Sequence, residues 1–387
     1  MAEIEKKINE ELLTEKISTR SPISEPIKRF YRKRSKRASI FFTQKIPFAE
    51  SELKSWVKSF RGGIILLTLF LVIVLPLLID SIVYYHVFIV AMVYAIYAAS
   101  WDLLSGVTGQ VSFGHAAFFG LGGYMCAALV KYLGFHWLPS IIIGGALGVF
   151  FGLIVAIPSL RLKGPYLALG SLAFSLLIYG LFSMESLGFL FFGSAGIRNI
   201  PFLEGISLAT KLLIEFIIAL VIMIICIVIM LIVYNSKFGT IFKGIRDDEY
   251  ATEAAGINVT KYKLISFCIS AFFAGIAGSL YALHRGNIKP DIFTSIYSFY
   301  PIIMVVVGGI STISGAAFGA YFFYVLNEVI TQICGDLLPS DLQLIFSSIA
   351  TLFFAIILLL VVRFTERGLM EPTIKRSKDL WDLLRGK

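Results

Sequence analysis

Charge is what this chain has little of. Only 15% of its 387 residues are Asp, Glu, Lys or Arg, against roughly 25% in soluble domains. Hydrophobic residues make up 57%, and the mean hydropathy is +0.84. A soluble core cannot absorb that much apolar sequence, so the composition indicates a polytopic membrane protein. The apolar runs are continuous instead of alternating, which disfavours a transmembrane β-barrel.

Cysteine is scarce as well. Cys126, Cys226, Cys268 and Cys334 are scattered through or beside apolar segments, with no CxxC pair. They read as small packing residues and imply neither a disulfide framework nor a metal cage. Phosphate and hydrolase motifs are missing too. No GxxxxGK[ST] occurs, the only Gly-Lys dipeptide being Gly386-Lys387, and there is no HExxH, GxSxG or paired metal-ligand spacing. The chain therefore carries no Walker loop and no recognisable hydrolytic centre; no catalytic residue, metal site or cofactor of its own is expected. Energy for active transport would come from an ion gradient or another subunit.

The positive charge is unevenly spread. Fifteen of the 34 Lys and Arg precede residue 62, and seven lie from Arg363 onward. That is the placement of cytoplasmic tails under the positive-inside rule, and it argues against nucleic acid as the partner. The run KRFYRKRSKR (28–37) is read as contact with an anionic membrane surface, with nucleic-acid binding as the weaker alternative. Ahead of it, Ile4, Ile8, Leu12 and Ile17 stand near helical spacing, as in a small amphipathic helix. A signal peptide is not expected, because the first long apolar run begins only near Gly62.

Apolar spans are expected at 62–79, 84–105, 111–132, 137–158, 165–184, 212–234, 263–284, 297–312, 315–333 and 342–363. The breaks at 105–111 and 312–315 are short, uncharged and Gly/Ser-rich; each is read as either a gap between two spans or the break of one discontinuous helix. The resulting fold class is an all-α polytopic membrane protein of about 8–10 transmembrane helices with both termini cytoplasmic. Its parts are a basic tail at 1–61, a membrane domain at 62–363 and a second tail at 364–387. Between spans, Arg161, Lys163 and five basic residues of 237–263 fall on the inside, against Lys131, Arg198, Lys211, Arg285 and Lys289 outside.

The segment 237–263, KFGTIFKGIRDDEYATEAAGINVTKYK, is the longest charged interlude after residue 62. Asp247 or Asp248 can cap a helix, Ala251, Ala254 and Ala255 favour one, and Gly256 stands where a C′ glycine would end it. A helix of about two turns is too short to persist alone in water. It needs something to pack on.

The stretch Ser105–Tyr124, SGVTGQVSFGHAAFFGLGGY, places six glycines among Thr108, Gln110, Ser112 and His115. Glycine at this density serves either a tight helix crossing or a backbone that leaves helical geometry beside a solute path. The path reading nominates Gly109, Gln110, Ser112, Gly114 and His115. A short echo occurs at Gly308–Tyr321, where Ala316-Ala317-Phe318 parallels Ala116-Ala117-Phe118. Intramembrane charge is represented by Asp102 and Glu328; Asp102 falls near a predicted cytoplasmic end, where solvation is the simpler reading.

Several ordered blocks resemble one family. GTIFKGIRDDEYATEAAGINVTKYKLISFCISAFFAGIAGSLYA (239–282) is similar to the cytoplasmic loop and following span of LivM-type permeases, the membrane subunits of bacterial ABC importers for branched-chain amino acids. GVTGQVSFGHAAFFGLGGY (106–124), LRLKGPYLALGSLAF (160–174), GSAGI (193–197) and MVVVGGISTISGAAFGA (304–320) match further blocks in order. The resemblance implies an ABC importer permease fold in the bacterial inner membrane. It also implies a second permease subunit, two ABC ATPase subunits that hold ATP and Mg, and a periplasmic substrate-binding protein. It assigns ATPase docking to Arg246, Asp247, Asp248, Glu249, Glu253, Ala254, Ala255 and Gly256, with Ala255 and the Tyr250/Ala251 side buried in the ATPase. Related permeases carry urea or other amino acids and amides, so the solute stays open. The alternative class is a stand-alone proton-coupled carrier using Glu328 or His115.

Overall fold

A computed structural model describes residues 82–159, 165–188 and 192–337. The expected spans at 62–79 and 342–363, both tails, the amphipathic stretch and the basic run lie outside the described residues.

The first helix, α1, is Ile82–Asp102, and it runs on into a π-helical turn at Leu103–Val107. After an irregular stretch come α2 (His115–Tyr132), α3 (Trp137–Ser159) and α4 (Pro165–Ser183). The long α5 (Leu208–Asn235) leads into the polar segment, which forms two helices, α6 (Lys237–Asp247) and α7 (Glu249–Ala254). Then follow α8 (Val259–Arg285), α9 (Ser295–Gly308) and α10 (Ile313–Leu337). A two-residue ribbon pairs β1 (Ile197–Arg198) with β2 (Asn287–Ile288), antiparallel, Ile197 opposite Ile288.

Side-chain caps fix the helix starts. Ser207 accepts the Thr210 N–H to open α5, and Asn258 accepts the Lys261 N–H to open α8. Each satisfies a donor that has no intrahelical partner.

Among the described residues, five helices are long and apolar enough to cross a membrane, with a sixth if α9 and α10 are one bent span. Their burial separates centre from rim. The apolar stretch of α1 is wholly buried, that of α5 mostly exposed. α1 is apolar all round and is packed by α5, α8, α9 and α10, which is the pattern of a helix at the core of a bundle. On α3, α4 and α5, by contrast, Ile142, Phe150, Leu169, Leu177, Ile217, Val221 and Ile225 are exposed. In water such a surface would drive association; against lipid it is the stable state.

The second break is a sharp bend, that of one broken span or of a re-entrant segment. α9 has 14 residues, about 21 Å of helix against about 30 Å of hydrocarbon, and it meets α10 at a bend of 110°. The first break is a span that ends in a π-turn, followed by irregular chain to Gly114.

α2 packs on α8 at glycine-to-backbone distance. A methyl at Gly122 would run into Gly275, and one at Gly278 into the Phe119 carbonyl. This is the small-residue contact that lets membrane helices approach closely, where dispersion and backbone contact replace a hydrophobic drive. Gly122 and Gly123 of α2 therefore serve the tight crossing with α8, Gly120 makes room for Phe293, and Gly114 abuts the Ser171 backbone of α4.

Candidate functional site

The two glycine-rich breaks meet. The Asp102 carboxylate, at the end of α1, accepts the Ser311 N–H at 2.7 Å. Ser311 lies just before α10, with φ +65, a left-handed conformation that costs a non-glycine residue about 1–2 kcal/mol. Asp102 is 0% exposed. This corrects the solvated reading. Its charge is offset by the N-terminal end of α10, where free N–H groups and the helix dipole favour an anion.

Arg246 closes the junction from α6. Its Nη1 donates to Ser311 Oγ at 2.6 Å and to the Gly106 carbonyl at 3.3 Å, while Nε and Nη2 hold Asp247 Oδ1 at 3.1 and 2.9 Å. Gly106 has no room for a side chain, since a methyl would collide with Asp102 and the Ser311 backbone. Gly109, φ +76, rests against the Arg246 side chain.

The irregular stretch beyond is satisfied from within. Ser105 Oγ donates to the Gln110 carbonyl and accepts the Ser112 N–H. Trp101 Nε1 donates to the Ser112 carbonyl at 2.7 Å. Ser171 Oγ takes the N–H groups of Phe113 and Gly114. Protein groups thereby replace water around much of this non-helical backbone. Of the nominated path residues, Gln110, Ser112, Gly114 and His115 are buried and Gly109 is exposed.

His115 opens α2 beneath Tyr97, with ring centroids 5.4 Å apart and nearly parallel, and Phe118 stands edge-on. Ser100 Oγ spends its proton on the Tyr97 carbonyl. The 3.0 Å contact from His115 Nε2 to Ser100 Oγ is therefore donated by the histidine, which fixes the Nε2–H tautomer. Glu328 is half-buried on α10.

The polar arm has a docked half and an exposed half. On α6, Phe242 and Ile245 are buried, Gly239 abuts the Tyr234 carbonyl, and Lys243 Nζ lies 3.5 Å from the Tyr234 ring centroid. On α7, Asp248 caps the helix through the Ala251 N–H at 3.0 Å. Gly256, φ +83, ends it: the Gly256 N–H bonds the Glu253 carbonyl and the Ile257 N–H the Thr252 carbonyl, the paired closure of a Schellman turn. Thr252 is the buried residue of α7. Tyr250 is 71% exposed, and Ala251, Glu253, Ala254, Ala255 and Gly256 are exposed as well. Arg246 is exposed on one side while its guanidinium reaches Gly106 and Ser311, and the half-buried Glu249 reaches Lys263 at 2.7 Å.

A second ionic cluster sits at the other end of α8 from α7. Glu215, 4% exposed, bonds His284 Nδ1 at 2.7 Å, and His284 Nε2 contacts His86 Nδ1 at 3.1 Å. Lys211 approaches Glu215 at 3.8 Å. Sequence reasoning passed over Glu215 inside an apolar span; the Lys211/Glu215 spacing was the available signal. Ser311 and Ser171 carried no signal of their own.

The comparisons with known proteins agree with this architecture. A model of the family described as "Branched-chain amino acid transport system / permease component" matches residues 83–368. The high-affinity branched-chain amino acid transport system permease protein LivM of Salmonella typhimurium is 25% identical over 313 residues, 74% of this chain and 70% of that protein. A probable LivM of Methanocaldococcus jannaschii is 27% identical, covering 60% of this chain and 67% of its own length. A probable LivH of the same organism is 23% identical, covering 70% and 86%. No solved structure matches the chain. With most of its length under the family model, its apolar helices and its ordered glycine-rich blocks in place, the chain belongs to the branched-chain amino acid transport system permease family, as a multi-pass membrane protein of the LivM type.

Proposed function

We propose that this chain is one of two permease subunits of an ATP-driven importer for branched-chain or other hydrophobic amino acids in the bacterial inner membrane. The α6–α7 arm faces the cytoplasm and docks an ABC ATPase; ATP and Mg are held by two such partner subunits, and a periplasmic binding protein delivers the solute. The Salmonella relative is by its name a permease protein of a branched-chain amino acid system, which supports the solute class. The missing phosphate loop supports an external motor.

One observation carries the docking reading. α7 is a six-residue helix, capped at both ends and pinned by Lys263, yet exposed on most of its surface. A helix that short does not persist without such caps, and a capped, rigid, exposed helix with an alanine face is shaped for a protein cleft. The docking surface is Tyr250, Ala251, Glu253, Ala254, Ala255 and Gly256, with Asp247 at its edge. Asp248 and Glu249 hold it in place.

The test is co-purification and uptake with the complex co-expressed. Glu253→Arg and Gly256→Pro are each expected to cut ATPase recovery and ATP-driven uptake at least tenfold. Unchanged recovery and uptake with both would remove the docking role. Uptake by the purified chain alone in liposomes, driven by a pH gradient, would replace the importer with a stand-alone carrier.

A further inference from the structure

We propose that Arg246 is a transmission residue and not a docking contact: it ties the α6–α7 arm to both broken membrane segments, so that movement of the arm reaches Gly106 and Ser311 together. The inference rests on the importer reading above and assigns a residue through which docking acts on the membrane domain.

The geometry supports this in three ways. First, one guanidinium bonds three separate pieces of chain: Asp247 on its own helix, the Gly106 carbonyl in the π-turn after α1, and Ser311 Oγ in the α9–α10 break. A planar fork with several fixed donors can do this, and a lysine ammonium cannot reproduce the directions. Second, the break is held in a strained form. Ser311, a non-glycine residue, has φ +65; Asp102 grips the Ser311 amide while Arg246 grips its hydroxyl. A strained turn kept by two external bonds has a relaxed alternative once one of them is withdrawn. Third, Gly109 leans on Arg246, and Gly109 leads directly into Gln110 and Ser112. The same side chain therefore touches the loop that carries the nominated path residues.

A displacement of α6 by about one ångström is enough to take hydrogen bonds of this length beyond bonding range. Because Ser311 and Gly106 share one donor, both breaks would be released in the same step. The two glycine-rich breaks would then act as one gate, with Arg246 as its latch.

The experiment uses the complete complex in proteoliposomes and reads three quantities: ATPase subunits recovered per permease, ATP hydrolysis with solute-loaded binding protein, and solute uptake. For Arg246→Ala the expected result is recovery and hydrolysis at half or more of wild type, with uptake at least tenfold lower. Arg246→Lys should share the defect, since charge alone does not restore the fork. Ser311→Ala, which removes only the hydroxyl acceptor, should move uptake in the same direction by a smaller factor. Should Arg246→Ala fail to accumulate because the junction around the buried Asp102 is loosened, Arg246→Ala with Asp102→Asn, which keeps an acceptor for the Ser311 N–H, is read in the same way. Uptake and hydrolysis falling in proportion, loss of ATPase recovery, unchanged uptake, or failure of the double variant to accumulate would each overturn the latch. A wild-type complex lacking ATPase subunits would overturn the importer reading instead.

Discussion

Lys263, with its side chain 8% exposed, reaches Glu249 at 2.7 Å and thereby fastens α7 to the second turn of α8. The lysine belongs to the membrane helix and the glutamate to the exposed one, so this pair sets the angle at which α7 is presented. Replacing Lys263 with Met removes a charge-assisted hydrogen bond, worth about 1.5–3 kcal/mol when desolvated, while Glu249 is exposed enough to rehydrate. Hydrogen exchange of the α7 amides in the purified protein is expected to accelerate at least fivefold, with α8 amides unchanged. Equal protection in the variant would mean that packing of Thr252 alone orients the helix.

Gly256 offers a cleaner measure of the same helix. Its φ is +83, and a methyl there would meet nothing within 4 Å. Gly256→Ala therefore tests backbone conformation alone, at about 1–2 kcal/mol for forcing an L-residue into the left-handed region. The expected result is a frayed end of α7 and weaker ATPase recovery, with the thermal unfolding of the membrane domain unmoved. A shift in unfolding of the whole domain would show that α7 is part of its core.

The α2–α8 crossing has the opposite character. Gly278 faces the Phe119 carbonyl with no space between, and Gly123 faces Gly278. Gly278→Val must force the helices apart, lose contacts along both and leave backbone groups unsupported. Overpacking commonly costs about 1–3 kcal/mol, and here the obstacle is backbone that cannot rotate away. Detergent-solubilised Gly278→Val is expected to elute as aggregate or to unfold well below wild type. Gly180→Val, at a position with open space, is the control and should behave as wild type.

What the sequence made legible follows a physical divide. Apolar runs announce helices because burial in lipid depends on composition, so the expected spans between 84 and 333 all appear as helices. The start and end of α7 were readable because Asp248 and Gly256 act through their own backbone neighbours. Asp102 was misjudged, and Ser311 missed, because their meaning is a contact between residues 209 positions apart, which no local pattern encodes. Arg246 was nominated only for ATPase docking; its contact with Ser311 depends on a bend of 110° between α9 and α10, which no local pattern announces. Glu215 was hidden by its apolar neighbours, and only the fold brings His284 and His86 to it.

Residues Gln110 and Ser112 permit a test of whether the glycine-rich loop lines the path. They are 8% and 1% exposed, and their backbone is bonded to Ser105, Trp101 and Leu104. A cysteine at either position should therefore resist a polar thiol reagent in the nucleotide-free complex. During turnover the loop must loosen for solute to pass, since buried, mutually bonded backbone admits neither water nor solute. Labelling of Ser112→Cys is accordingly expected to rise at least tenfold when ATP and loaded binding protein are supplied. The native cysteines Cys126 and Cys226 are buried within helices that have no such break, and they should stay unreactive under the same conditions, which separates local opening from general loosening. Arg246→Ala should produce labelling of Ser112→Cys that no longer depends on ATP, because the loop would have lost the guanidinium that holds the Gly106 carbonyl. Protection of Ser112→Cys in every nucleotide state would instead assign the glycines of 106–114 to packing and move the path to the face where the second permease would sit.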